Sequence, residues 1–507
     1  MAPRFLTTRL QRSGYRFLIR RQEQAFVRRD VRGLSNPFSA QTSAVAVGVF
    51  LVGLMAVVGL LVSVVKPRPD RGLDSIITTS SGGIYVMHNR KLHPVTNLAS
   101  ARLIVGSPDN SSPVKDDTIK DIPRGPLMGI PSAPSSLVAH TDDPAVWTVC
   151  DRRDMKSDLS LTTKDTVSTT LIAGKDMLDT KAKTLDSDQA ILARSSTSPD
   201  RLWLIFDGKR TELGKQDFAT QAALGITPAK LNSAITLSGS LIDAIEVLPT
   251  LTVPFLENRG RVSSTVPQRA IGDVLTIGDP QGQRDHYVVA DQGVQSISPV
   301  VAGLLVNTGS RQTVEPDPES VTSLPQVQVI DVSRYPSQIP ELVDAPTTCY
   351  SWSRSRTDSR SQTKIVVGDA LPIQGDKSGT LVDLLRPDPG VVQASASAMD
   401  PGKGWYVRVT GSGPESMSAE QLMFIDDTGT RYFISPDKQG SYDPVVGALG
   451  LNTQLPLPIP WDIAKLYIQG STLSTEDAMV YHAFIPPNKD GVPAPPKAGT
   501  LSPPPVG

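Results

Sequence analysis

Ala44 through Val65 reads AVAVGVFLVGLMAVVGLLVSVV, 22 residues without a charge and with Ser63 as the only polar side chain. At 1.5 Å per residue such a helix is roughly 33 Å long, enough to cross a hydrocarbon core of about 30 Å. A buried helix of a soluble protein is one competing reading, and a run this long and uniformly apolar argues against it. A cleaved signal peptide is the other. Its apolar region covers about 7–15 residues and ends at a small-residue cleavage site, whereas this run ends in Lys66-Pro67-Arg68-Pro69. Residues 44–65 are therefore read as a transmembrane anchor.

Working outward toward the N-terminus, residues 1–43 hold nine arginines against Glu23 and Asp30, a net of +7. The whole chain carries −1, so the remaining 464 residues sum to −8. Basic residues beside a span hold that side in the cytoplasm, which places everything after residue 66 outside the inner membrane. Within the arm, Tyr15, Leu18, Ile19, Gln22 and Phe26 fall at helical spacing, with Arg16, Arg20, Arg21 and Arg28 around them. That pattern describes an amphipathic helix on anionic headgroups or against a partner. A solvated basic arm that only enforces topology is the plainer alternative. The expected membrane-surface or partner contacts are Tyr15, Arg16, Leu18, Ile19, Arg20, Arg21 and Phe26.

Toward the C-terminus, four short segments share a pattern. Ile84-Tyr85-Val86 leads into Asn89-Arg90, Leu202-Trp203-Leu204 into Asp207-Gly208, His286-Tyr287-Val288 into Asp291-Gln292-Gly293, and Leu422-Met423-Phe424 into Asp427-Thr428-Gly429. Each reads as a strand entering a hairpin turn, because Gly, Asn and Asp tolerate positive φ. Helix-compatible stretches follow three of them, at Leu98 to Val105, Ala219 to Leu224 and Pro299 to Val306. A longer period is also present: Tyr85 to Tyr287 is 202 residues, Cys150 to Cys349 is 199, and Trp203 to Met423 is 220. An internal duplication of about 200 residues accounts for these spacings. Each half then holds a repeat unit, a cysteine-bearing strand region and a second repeat unit.

The chain has two cysteines, Cys150 and Cys349. Outside the inner membrane a pair is expected to form a disulfide, and no CxxC accompanies it, so its role is structural. Residues 107–117 and 309–319, rich in Ser, Pro, Asp and Thr, read as linkers. The last 22 residues hold eight prolines and read as an extended tail.

Several strings carry a resemblance. They are Gly14-Tyr15-Arg16-Phe17-Leu18 before Arg20-Arg21, then Gly82-Gly83-Ile84-Tyr85-Val86, then Pro94 through Ile104, then Arg124-Gly125-Pro126-Leu127-Met128-Gly129-Ile130-Pro131, with the cysteines after them. In this order, around a single span, they resemble the EccB family of the mycobacterial ESX (type VII) secretion systems, over about residues 10–485. The sequence departs from many relatives in having Thr78-Thr79-Ser80-Ser81 where acidic turn residues lead the first unit. The resemblance implies a structural subunit of an inner-membrane protein-export complex, assembling with EccC, EccD and EccE. It also implies self-association through the periplasmic domain and contact with the mycosin protease. The fold it implies is α+β, with four small hairpin-plus-helix repeat units around a central β-domain and a pseudo-two-fold axis.

The expected organisation is a basic cytoplasmic arm with an amphipathic helix at 1–43, the transmembrane helix at 44–65, and a linker with the first unit at 66–135. The central β-domain takes 136–195 and 336–420, the second and third units 196–260 and 261–335, the fourth unit 421–485, and the tail 486–507.

Members of the family are sometimes labelled ATPases, and a phosphate loop requires the string GxxxxGK[ST]. The Gly-Lys pairs at Gly174, Gly208, Gly214 and Gly402 lack the following Ser or Thr, and Gly375-Asp376-Lys377-Ser378 interposes a carboxylate. The five histidines contain no HExxH, two cysteines make no zinc cluster, and no GxSxG is present. The carboxylate pairs Asp116-Asp117, Asp142-Asp143 and Asp426-Asp427 fall in predicted turns. No catalytic, cofactor-binding or metal-binding residue is nominated, no cofactor is expected, and a non-enzymatic role is favoured. A cell-wall-binding module is the competing function, because short hairpin-plus-helix repeats also occur in peptidoglycan binders.

Overall fold

The structure is a computed structural model that describes residues 8–29, 39–65, 74–154, 166–179, 182–278, 284–315, 317–385 and 392–486. The chain divides into a unit of residues 1–73 and a unit of residues 74–507. The expected proline-rich tail beyond Pro486, and Lys66, Arg68 and Arg71 beside the apolar run, lie outside the described residues.

The first unit contributes two helices, Arg9–Arg28 and Ser39–Val65. Thr8 opens the first by accepting a hydrogen bond from the Gln11 N–H, while the Gln11 side chain accepts from the Thr8 N–H. This reciprocal capping box satisfies two backbone donors that a helix start leaves open.

Among the described residues the second unit contains five sheets. Four share one pairing scheme. In the first, Ile76–Thr79, Ile84–His88 and Lys91–Val95 form an antiparallel meander. Helix Leu98–Val105 follows, and Ser112–Val114 then lies parallel to Ile76–Thr79, with Leu127–Met128 parallel to Lys91–Val95 on the other side. The second sheet does the same with Gln189–Ser195, Leu202–Phe206 and Lys209–Leu213, flanked by Ile235–Leu237 and Glu246–Val247. The third uses Val274–Gly278, Arg284–Ala290 and Gly293–Ile297, with Gln312–Glu315 on one edge and a parallel bridge from Val294 to Gln326 on the other. The fourth uses Trp405–Thr410, Ser418–Ile425 and Thr430–Ile434, flanked by Leu457–Pro460 and Ile468–Gln469.

Local chemistry explains the turns. Asn89 and Arg90 have φ of 49° and 61°, and Asp207 and Gly208 have 46° and 71°. Two consecutive positive φ values give the two-residue turn whose twist matches the flanking strands. The helices that follow start on side-chain caps: Asn97 accepts from Ser100 N–H, Asp217 from Thr220 N–H, and Ser298 from Val301 N–H.

The structure departs from the sequence expectations in two respects. A strand precedes each predicted hairpin, so the second sheet begins at Gln189 rather than 196 and the fourth at Trp405 rather than 421. These leading strands are largely buried, Leu192 and Trp405 among them, and a strand covered on both faces loses the apolar–polar alternation that marks a half-exposed one. The segments read as linkers also contain strands, Ser112–Val114 and Gln312–Glu315. Both sit at sheet edges, where Pro113 need not donate to a ladder.

The fifth, central sheet has seven strands in the order Leu381–Asp383, Ala396–Ala398, Thr166–Ala173, Ala145–Asp154, Thr347–Arg354, Gln362–Gly368, Lys183–Thr184. Its two middle strands run antiparallel, with Cys150 opposite Cys349 and Trp147 opposite Trp352. Alternation along each strand sends Trp147, Val149, Tyr350 and Trp352 to one face. They pack there with Ile191, Trp203, Trp405 and Met423 of the second and fourth sheets. Cys150 and Cys349 face the other way, among Ile172 and Val366. Farther out, the first sheet shares a core with the fourth and the second with the third.

Candidate assembly surfaces and the phosphate-loop question

Helix Arg9–Arg28 places Tyr15, Leu18, Ile19 and Phe26 along one face, as i, i+3, i+4 and i+11 positions must lie at 100° per residue. Tyr15, Leu18 and Phe26 are exposed, Phe26 at 86%. Arg16 and Arg20 fall on one flank of this stripe and Arg21 on the other. Sequence reasoning missed a second pair, Leu10 and Phe17, seven residues apart on the opposite side and also exposed. The i, i+7 spacing was its available signal.

Helix Ser39–Val65 contains the apolar run. Its described side chains, residues 43–57, are exposed all round, including Val45, Phe50, Leu54 and Met55. A helix apolar on every side needs a covering of lipid or protein. Among the described residues no helix is long and apolar enough to cross a membrane.

In the second unit Cys150 and Cys349 are joined by a disulfide between residues 199 apart in sequence. Both are fully buried, and the central-sheet register brings their Cα atoms to 4.0 Å.

Next to this bridge lies a group that sequence reasoning did not single out. Asp151 is fully buried and accepts three hydrogen bonds: from Thr169 Oγ1 at 2.8 Å, Ser238 Oγ at 2.8 Å and Ser238 N–H at 2.6 Å. Ser238 caps helix Gly239–Ala244 of the second sheet, so the carboxyl ties that helix to the central sheet. Desolvation pushes its pKa up to about 6, against the pull of the Ser238 and Thr169 donors. A lone Asp after a cysteine carries no sequence signal of this.

Lys377, the lysine nearest to a phosphate-loop phrase, lies in a short 3₁₀ turn, Gly375–Thr380, followed by strand Leu381–Asp383. A phosphate loop instead opens an α-helix whose N-terminus faces the phosphates. The Lys377 ammonium donates to Asp400 Oδ1 at 2.8 Å, and this contact holds the lysine pKa up and the Asp400 carboxyl down.

The histidines are dispersed. His93 Nδ1 lies 2.9 Å from the Pro126 carbonyl, and its ring is 6.1 Å from His88. His140 is buried and stacks on Trp405 at 4.3 Å; burial lowers its pKa, opposed by Asp142 at 3.7 Å. His286 meets Thr276 Oγ1 at 3.0 Å and His482 the Gly129 carbonyl at 2.7 Å. Among the described residues no group of three or more His, Cys, Asp or Glu is placed to hold a metal ion. The carboxylate pairs make structural contacts, and Asp143 pairs with Arg356 at 3.4 Å. Asp116 accepts from Ser80 and Ser81 hydroxyls, which lowers its pKa. Asp426 accepts from Thr428 and Thr430 within its hairpin turn.

A family model described as "Type VII secretion system ESX-1, transport TM domain B" matches residues 4–487 of this chain. Among curated proteins, the chain is 35% identical to the ESX-3 secretion system ATPase EccB3 of Mycobacterium tuberculosis, covering 96% of this chain and 91% of that one. It is 32% identical to the ESX-5 secretion system ATPase EccB5 of Mycobacterium marinum, covering 95% and 94%. Among solved structures it is similar to a chain of an intact ESX-5 inner membrane complex, with TM-score 0.69, 31% identity, and 97% of this chain and 99% of that one covered. A second similar structure is an EccB3 dimer from the ESX-3 core complex, with TM-score 0.69 and 33% identity over 80% of this chain and all of that one.

Proposed function

Because the chain belongs to the EccB family of type VII secretion components, we propose that it is a structural membrane subunit of an ESX-type protein-export complex. The observation that carries this reading is the match along 97% of the chain to a subunit of an intact inner membrane complex. In this reading the chain assembles with EccC, EccD and EccE, and self-associates through residues 74–486. Similarity to an EccB3 dimer supports the self-association. Contact with a mycosin protease is part of the same proposal.

The chain crosses the membrane once at 44–65, with the arginine-rich arm in the cytoplasm. The helix Ser39–Val65 and the charge asymmetry of residues 1–43 support this topology. The stripe of Tyr15, Leu18, Ile19 and Phe26, edged by Arg16, Arg20 and Arg21, lies on the membrane surface or on a partner's cytoplasmic domain. Outside, residues 74–486 form four units around the central sheet, related in pairs by an internal duplication. The shared strand order of the four sheets and the symmetric pairing of Cys150 with Cys349 and Trp147 with Trp352 support that arrangement. The cores agree with it: exchanging the halves maps the second-with-third contact onto the fourth-with-first.

The subunit is non-enzymatic, although its relatives carry the name ATPase. The commitment of Lys377 to Asp400 and the missing GxxxxGK[ST] string support this.

Affinity purification of the tagged full-length protein from native membranes in mild detergent, followed by mass spectrometry, tests the role. A large complex containing an FtsK-like motor and a multispanning subunit is expected. Recovery of the protein alone, under conditions that keep other membrane complexes intact, overturns it.

A further inference from the structure

Arginines from two sheets converge on one small pocket. Arg354 and Arg356 lie at the end of the central strand Thr347–Arg354 and in the loop after it, and Arg408 belongs to strand Trp405–Thr410 of the fourth sheet. With Ser355 and the Leu455–Pro456 stretch they line a pocket of about 110 Å³, room for a small anion with its waters. Guanidinium groups stay charged at any physiological pH, so three permanent positive charges share this volume. The ion pairs of these three arginines bring in one carboxylate among the described residues, Asp143 at 3.4 Å from Arg356.

Two of the arginines are held in place by neutral acceptors. Arg356 Nε donates to the Leu455 carbonyl at 2.9 Å and its Nη2 reaches Gln454 Oε1 at 3.4 Å. Arg354 donates through Nε to the Asp358 carbonyl at 2.9 Å and through Nη1 to the Ser416 carbonyl at 2.8 Å. These bonds orient the two forks without neutralising them. The Arg408 side chain is exposed and has no hydrogen-bond or ion-pair partner among the described residues. Tying down a hairpin explains Arg354 and Arg356, and it leaves the third charge at the same pocket unexplained.

We infer that this pocket binds a phosphate group, either free in solution or carried on an envelope lipid headgroup. Planar guanidinium forks pair bidentately with oxyanions, and a tetrahedral phosphate offers enough oxygens for three of them at once. Its charge of between one and two offsets the net excess of two that Asp143 leaves. Leu455, 70% exposed at the rim, offers an apolar contact to whatever the phosphate is attached to.

The test is calorimetric titration of the full-length protein in detergent at fixed ionic strength, with inorganic phosphate and with glycerol phosphate as the soluble headgroup fragment. Saturable phosphate binding is expected, with Kd raised at least about tenfold in Arg408→Glu and by less in Arg408→Lys, which keeps the charge but loses the fork. The Arg408 side chain is exposed and has no hydrogen-bond or ion-pair partner among the described residues, so Arg408→Glu is expected to melt with the wild type, which separates lost binding from lost fold. Glycerol phosphate binding at least about tenfold tighter than phosphate assigns the pocket to a lipid headgroup; equal or weaker binding assigns it to the free ion. Absence of saturable binding, or equal binding by wild type and Arg408→Glu, overturns the inference.

Discussion

The four outlying sheets and the central sheet use the same strand chemistry over different ranges of chain. Each outlying meander pairs strands that follow one another, as Ile84–His88 and Lys91–Val95 do across a two-residue turn. The middle pair of the central sheet joins strands whose cysteines are 199 residues apart. Closing a short loop costs little conformational entropy and closing a long one costs more, though only logarithmically. The outlying sheets can therefore rely on turns and caps. The central sheet relies on a cross-link, the buried Trp147, Tyr350 and Trp352 of its middle strands, and a buried carboxyl.

If this contrast is right, the largest loss of stability comes from removing the bridge. Cys150→Ala with Cys349→Ala is expected to cost about 2–5 kcal/mol in denaturant unfolding of the oxidised protein. A loss below the experimental error would show that the central pairing stands without it.

Asp151 sharpens the same point through pH. Its folded pKa, about 6, lies above the value near 3.8 of an exposed carboxyl, so the folded state binds the proton more tightly. Its contribution is favourable below pH 3.8 and is lost as pH rises through about 6, a difference of about 3 kcal/mol. Unfolding free energies at pH 4.5 and 7.5, compared between wild type and Asp151→Asn, measure it. A wild-type pH slope no steeper than that of the variant would break the assignment.

A backbone test belongs to the outlying sheets. A Cβ on Gly293 would lie 2.1 Å from the Pro325 carbonyl oxygen, so Gly293→Ala is expected to cost about 1–3 kcal/mol by forcing the backbone apart. Hydrogen exchange should show the loss concentrated in the third sheet. Uniform loss across the central sheet would mean that the outlying units are not locally independent.

The smallest effect is expected at a cap. Asn97→Ala removes the acceptor for Ser100 N–H and the donor to the Ile130 carbonyl, and should lower stability by about 1–2 kcal/mol in the same unfolding assay.

Much of the outlying architecture was legible in advance. Asn89-Arg90 and Asp207-Gly208 announce turns through residues that accept positive φ, and Leu98–Val105 and Pro299–Asn307 are helices where an apolar run follows a capping residue. The leading strands, buried on both faces, and the proline-bearing edge strand Ser112–Val114 were not, because neither shows alternation. Of the surfaces, the stripe on helix Arg9–Arg28 was readable from its period, whereas Leu10 and Phe17 offered only a single i, i+7 spacing on the opposite side.

The sequence alone determined what depends on neighbours within a few turns of chain: the apolar run and its flanking arginines, the hairpin turns, the caps, and the family strings from Gly14 to Pro131. It also held the two cysteines, 199 residues apart. Only the tertiary structure decided which sheet packs on which, that Asp151 is sealed beneath Ser238, and that Arg408 meets Arg354 and Arg356 at one pocket. These are encounters between strands far apart in sequence. Burial and field at such places are set by the whole packed assembly, and no spacing along the chain encodes them.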